Sequence, residues 1–189
     1  MLSADIDKQT QQRVTVARRG LVLVNTGDGK GKSTAAFGVI LRMLGRGKRA
    51  ALIQFLKHEG GAWGEIRALK KLGLDVIKTG DGWTWTSKAI DETQAKALQG
   101  WEMAKAKIVS GEYDLVVLDE FTYLFSFGWL DATETVNWLK EHKPTNLNLI
   151  ITGRGAPPAI IDYADTVTEM KKIKHAYDAG IPARAGIEF

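Results

Sequence analysis

Asn25-Thr26-Gly27-Asp28-Gly29-Lys30-Gly31-Lys32-Ser33-Thr34 is the stretch on which the fold turns. It follows the apolar run Leu21-Val22-Leu23-Val24 and opens a segment, 32–44, in which Ala36, Val39, Ile40, Met43 and Leu44 share one helical face. Strand, glycine-rich turn and helix in that order make a cradle for polyphosphate. The alternating glycines let successive N–H groups turn inward, and the helix N-terminus adds its own donors and dipole. Lys32 reaches phosphate oxygens, and the Ser33 hydroxyl is placed to ligate Mg²⁺. The usual spacing, G-x-x-x-x-G-K-[ST], would put glycine at 26, where this chain has Thr26. The loop is therefore a variant of the phosphate-binding pattern, and a glycine-rich turn without a ligand is the weaker reading.

Outward from the loop, Gly45 and Gly47 end the helix, and Ala50 to Phe55 is a second apolar strand. A glycine-rich loop at 57–64 leads to a helix near 63–72 and a short strand at 74–78. The loop at 79–88 contains Gly82-Trp83-Thr84-Trp85. A helix over about 91–110 leads into the strand Leu115-Val116-Val117-Leu118, followed by Asp119-Glu120. A helix over 131–142, a strand from Leu147 to Ile151, a short helix begun by Pro157-Pro158 and a strand near 166–170 complete the order, with an irregular tail over 171–189. Strands apolar on both faces and alternating with helices predict an α/β fold: a mainly parallel sheet covered on both sides, in one domain over 20–189, preceded by a polar arm over 1–19. Ligands of such sheets sit at the carboxyl ends of the strands, where the phosphate loop and Asp119-Glu120 both fall. Carboxylates there hold a metal directly or through water, or activate a water for hydrolysis.

The bulk composition excludes several classes. The 189 residues carry a net charge of +4, spread along the chain without the dense basic stripe of a nucleic-acid face. No apolar run approaches the ~20 residues of a membrane span. There is no cysteine, so neither disulfides nor thiolate metal sites are available, which fits a cytoplasmic location.

Taken together, the motifs resemble those of the corrinoid adenosyltransferases of the P-loop class. The resemblance runs from about Gly20 to the tail and rests on Gly27 to Gly38, Gly82-Trp83-Thr84-Trp85, Val116 to Glu120, Ile151-Thr152-Gly153-Arg154-Gly155 and Lys174-His175-Ala176-Tyr177-Asp178-Ala179-Gly180. It implies a P-loop NTPase-like fold and transfer of the 5′-deoxyadenosyl group of ATP to the Co(I) centre of a corrinoid, either cobalamin or cobyrinic acid a,c-diamide, leaving tripolyphosphate. Lys32 and Arg154 would stabilise the leaving group. Thr26, Gly27, Asp28, Gly29, Lys30, Gly31, Lys32, Ser33, Thr34 and Arg154 would bind ATP. Ser33 and Glu120 would ligate Mg²⁺, with Asp119 behind them. Trp83 and Trp85 would lie against the corrin, where apolar rings displace the lower cobalt ligand, and His58 would line its entrance. The family implies a homodimer served by a flavoprotein-like reductase. His175 reads as a surface residue rather than a cobalt ligand. A small P-loop phosphotransferase or ATPase, releasing ADP, is the competing reading.

Overall fold

The computed structural model describes residues 19–57, 63–80 and 90–188. His58, Trp83 and Trp85 lie outside the described residues, as do residues 1–18 of the arm.

Six strands form one sheet: β1 (Val22–Thr26), β2 (Ala50–Phe55), β3 (Asp75–Thr79), β4 (Leu115–Asp119), β5 (Asn148–Thr152) and β6 (Thr166–Glu169). The spatial order is β3-β2-β4-β5-β1-β6 and every pairing is parallel. The connecting helices are α1 (Lys32–Leu44), α2 (Gly64–Lys71), α3 (Ile90–Val109), α4 (Tyr123–Ser126), α5 (Ala132–His142) and α6 (Pro158–Tyr163).

The period of two along each strand sorts the core into two layers. Ala51, Ile53, Phe55, Val116 and Leu118 face Ala97, Trp101, Ala104 and Ile108 of α3, Leu139 of α5 and Ile160 of α6. Ala50, Leu52, Leu115 and Val117 face Ala36, Phe37 and Ile40 of α1 and Ile66 and Leu69 of α2. β2 and β4 are buried along their whole length, which is why both read as apolar runs, interrupted only by Gln54 in β2 and by Asp119 at the end of β4.

The structure adjusts several expected boundaries. β1 and β5 each begin one residue later than expected: Leu21 is exposed and pairs only through its backbone with Leu149 and Asn148. Phe37, outside the expected apolar face of α1, is buried. The one-turn helix α4 has no sequence signal of its own; it forms because Leu124 and Phe121 are buried together directly after Glu120. α1 ends as expected, in a left-handed cap at Gly47 (φ 68°), where Gly47 N–H bonds Leu44 O and Lys48 N–H bonds Met43 O.

This topology brings the carboxyl ends of β1, β2, β4 and β5 to one edge of the sheet. An aromatic cluster beneath that edge fixes it: Phe121 packs against Phe55 and Trp101 at centroid separations of 5.0 and 5.1 Å. A fully buried phenylalanine contributes about 2–3 kcal/mol, so the turn after β4 is anchored from below.

Candidate nucleotide site

The phosphate loop leaves β1 at Thr26 and enters α1 through Gly31, whose φ of 112° only glycine adopts readily. No side chain caps α1, so its first-turn N–H groups point into the loop. Asn25 Nδ2 donates to Lys32 O at 3.2 Å and Ala35 N–H to Gly31 O at 2.8 Å, fixing the strand-to-helix turn. The Lys32 ammonium lies across the loop, donating to Gly27 O at 2.7 Å and Gly29 O at 2.8 Å. Burial pushes its pKa down; Glu120 opposes this and Arg154 adds to it. Asp28 and Thr34 are exposed on the rim.

Thr26 explains the variant spacing. Its buried hydroxyl accepts from Ala156 N–H at 3.1 Å, and its carbonyl accepts from Met170 N–H at 2.8 Å. Glycine at 26 could not make the first of these bonds, which ties the phosphate loop to the turn after β5. Met170 then covers the loop: its carbonyl takes Gly29 N–H at 2.6 Å. A Cβ on Gly27 or Gly29 would stand 2.6 Å from that same oxygen. Both glycines are therefore required by the close approach of the chain after β6, and Gly27, at φ 93°, by the turn as well.

Asp119 and Glu120, adjacent in sequence, occupy opposite electrostatic situations. Asp119 is fully buried. Gln54 Nε2 donates to its Oδ2 at 3.0 Å, Lys57 Nζ to the same oxygen at 3.2 Å, and Thr152 Oγ1 to Oδ1 at 2.8 Å. Ser33 bonds it as well. Burial alone would raise its pKa, but the Lys57 charge and the hydrogen bonds from Ser33, Gln54 and Thr152 outweigh burial and hold it below the ordinary carboxylate value. Glu120 is raised instead, first by burial and then by Asp119, against the pull of Lys57, Lys32 and Arg154. Its backbone sits at φ 61°, a strained position for a residue with a side chain, held by Glu120 N–H bonding Thr152 Oγ1 at 3.0 Å. Thr152 thus accepts from one acidic residue and donates to the other.

Glu120 Oε2 is buried without a hydrogen-bond partner. An orphaned, buried carboxylate oxygen is costly unless something ligates it, and with the nearby Ser33 hydroxyl it supplies two oxygens of the kind Mg²⁺ takes. Among the described residues no group of three or more His, Cys, Asp or Glu could hold an ion. The residues present therefore fit a cation completed by phosphate oxygens and water rather than a protein-only cage. Arg154 is exposed at the end of β5, with its carbonyl fixed by Thr122 Oγ1 at 2.6 Å. Lys30, on the outer side of the loop, ion-pairs with Glu188 of the tail.

The structure thus brings Thr26 to Thr34, Asp119, Glu120 and Arg154 to one edge. It adds Gln54, Lys57, Thr152, Met170 and Glu188, to which sequence reasoning gave no role. Thr152 stood inside a quoted motif. Lys57, two residues beyond an apolar strand that ends at the site, was the one signal that could have been followed.

A parallel sheet with helices on both faces, a glycine-rich loop feeding α1 and paired carboxylates at the end of a buried strand define an α/β protein with a P-loop NTPase-like fold. Residues 18–189 match the family model for ATP:corrinoid adenosyltransferase BtuR/CobO/CobP, and the chain belongs to that family. It is 38% identical over 188 residues to a corrinoid adenosyltransferase of Escherichia coli K12, covering 97% of this chain and 94% of the relative. It is 39% identical over 173 residues to the corrinoid adenosyltransferase CobA of Salmonella typhimurium, covering 90% and 86%, and 41% identical over 174 residues to a corrinoid adenosyltransferase of Sinorhizobium sp, covering 90% and 81%. The chain is accordingly a transferase whose family substrates are ATP and a corrinoid. Among the described residues no helix is long and apolar enough to cross a membrane.

Proposed function

We propose that this chain transfers the 5′-deoxyadenosyl group of ATP to the reduced cobalt of a corrinoid and releases the whole triphosphate as tripolyphosphate. The bond formed is Co–C5′ and the bond broken is C5′–O. The electron pair of the broken bond leaves on the polyphosphate, so the catalytic problem is a polyanion gaining charge. The observation that carries the reading is the convergence of cations on the loop: the buried Lys32 ammonium over Gly27 and Gly29, Lys30 at the outer lip and Arg154 beyond β5. Preorganised charge aimed at a developing anion commonly supplies most of the stabilisation such a transition state receives.

Lys32 and Arg154 stabilise the leaving group, and the loop N–H groups orient it. Ser33 and Glu120 would hold Mg²⁺, and Asp119 positions Ser33 through their hydrogen bond. Mg²⁺, when bound, neutralises charge on the phosphate oxygens. Cob(I) is itself the nucleophile, so no base has to activate it. Trp83, Trp85 and His58 are assigned to the corrinoid on the family resemblance alone. The same resemblance supports a homodimer, a flavoprotein-like electron donor, a cytoplasmic location and a place in cobalamin biosynthesis or salvage.

The experiment is to mix the protein with MgATP and a chemically reduced corrinoid, follow the visible spectrum and separate the phosphates by anion exchange. One tripolyphosphate per adenosylated corrinoid is expected. ADP with orthophosphate, and no tripolyphosphate, would assign the site to phosphoryl transfer instead.

A further inference from the structure

The chain beyond β6 does more than close the sheet. From Met170 it runs over the phosphate loop, and together they line a solvent-open cleft of about 300 Å³. Gly29 and Lys30 of the loop form one wall, and Lys171, Lys172, Lys174 and His175 form the other. The volume is at the lower end for small-molecule sites. The two walls are bonded together, since Met170 N–H donates to Thr26 O and its carbonyl accepts from Gly29 N–H.

The charge of this cavity is unbalanced. Four lysine ammonium groups line it, and two carboxylates answer them: Glu188 on Lys30 and Asp178 on Lys172. Lys171 and Lys174 have no carboxylate partner among the described residues. His175 Nδ1 accepts from Tyr177 N–H at 3.0 Å, which leaves Nε2 as the donating nitrogen of the neutral ring. The cavity already takes an anion, because Glu188, 158 positions along the chain from Lys30, lies in its wall and pairs with it. A lysine-rich cleft sharing Gly29 and Lys30 with the phosphate loop is best matched by an anion that spans both.

We propose that this cavity is a second polyphosphate subsite, continuous with the phosphate loop, which receives the end of a polyphosphate chain farthest from Lys32. Glu188 is a tethered competitor that gives up Lys30 when the chain enters. The proposal rests on the reading that a triphosphate lies in the loop and extends it to the loop's outer side. The free product and the triphosphate of ATP present the same chemistry there.

The test is calorimetric titration of the full chain with sodium tripolyphosphate, with ATP and with orthophosphate, at low and at high salt. Lys171→Ala/Lys174→Ala should weaken tripolyphosphate by about tenfold at low salt, and less as salt screens the charges. Glu188→Gln should tighten it by about threefold. Orthophosphate, too short to span both parts, should be unmoved by either. If the ATP affinity moves with that of tripolyphosphate, the nucleotide's own phosphates reach the cavity; if ATP is unmoved, the cavity serves the released product. Thermal melts of each variant separate lost binding from lost folding. Tripolyphosphate affinity unchanged in both variants would overturn the proposal. So would weakening by both, the pattern of a tail that merely packs, or an equal loss for orthophosphate, the pattern of a nonspecific anion patch. Failure of adenosyl transfer would show in the turnover of the parent protein and leave these binding results standing on their own.

Discussion

Replacing Lys57 by Met should be among the most damaging single changes at the site edge, although the residue is absent from the phosphate loop. Lys57 Nζ lies 3.2 Å from Asp119 Oδ2, with the lysine side chain 21% exposed and the carboxylate fully buried. At that separation the attraction is about 5 kcal/mol for an effective dielectric of about 20, and most of it offsets the desolvation of Asp119. Lys57→Met keeps the bulk of the stem but strands the charge. Breaking a buried pair in this way costs ~3–5 kcal/mol. Because Gln54, Thr152 and Ser33 still hydrogen-bond the carboxylate, the expected loss is about 3 kcal/mol. For a chain of this length that lowers Tm by about 6–12 °C.

Asp119→Asn should cost less, about 2 kcal/mol, because the partly exposed Lys57 can turn to water while the new amide faces the Gln54 amide. The double variant removes both charges and should lose about 3 kcal/mol rather than the sum, a coupling of about 2 kcal/mol. Urea denaturation of the four proteins at pH 7 measures this directly. The pH dependence carries a second signature. Asp119 has a depressed pKa, so its contribution is present above the unfolded-state value and disappears as pH falls through the folded one. Without Lys57 the folded pKa moves up, and acid destabilisation should begin at a higher pH in Lys57→Met than in the parent. Losses that simply add, within ~0.5 kcal/mol, together with an unmoved acid limb, would refute the view that Lys57 neutralises Asp119.

Three further outcomes are expected. Lys32→Ala should cut turnover by ~100-fold or more at saturating MgATP, comparable to losing one preorganised donor; a near-normal rate in the steady-state assay would remove Lys32 from leaving-group stabilisation. Gly153→Ala should destabilise the fold by about 3 kcal/mol, since its φ is 141° and a Cβ would meet Thr122 Oγ1 at 2.0 Å; adding Thr122→Ala should restore part of the Tm, and no restoration would show that contact not to be the cause. Tyr113 donates to Asp75 and has a raised pKa, through burial first and the Asp75 bond second. Its contribution is therefore present below the ordinary tyrosine value and lost as pH rises through the folded one, so Tyr113→Phe should lower Tm at neutral pH and flatten the alkaline limb of a Tm–pH profile.

What the sequence discloses here is what is local. Gly27 to Thr34 declare a phosphate loop because strand, turn and helix are consecutive. Asp119-Glu120 stand out as candidate metal-side carboxylates because they directly follow an apolar strand. The bonds that give these residues their properties are not local. Gln54 meets Asp119 only because β2 and β4 pair in parallel with those two residues in register. Thr152 meets the Asp119 carboxylate and the Glu120 backbone N–H because β5 is the other neighbour of β4. Met170 and Glu188 reach the loop from more than 130 positions away. No period or spacing encodes such contacts. Gly27 and Gly31 were legible as turn glycines and do take positive φ, whereas the room that Gly27 and Gly29 make for Met170 was not legible.

The strand order gives the site its chemistry. β5 stands between β1 and β4, so the loop on β1 and the carboxylates on β4 must meet across the end of an intervening strand. That strand has to end in something small yet able to bond in both directions. Thr152-Gly153 meets the requirement: the hydroxyl bridges Glu120 N–H and Asp119 Oδ1, and the glycine, whose N–H bonds Asn25 O at 3.2 Å, leaves Thr122 room to hold Arg154 O. Asp119 is thereby saturated with donors and kept anionic below the surface. Glu120, at a strained φ and with one buried carboxylate oxygen left without a hydrogen-bond partner, is the acid of the pair whose oxygen is not taken up by protein donors. Two adjacent acids thus stand in different environments, Asp119 saturated with donors and Glu120 with an oxygen to spare, and the neighbouring strands impose the difference.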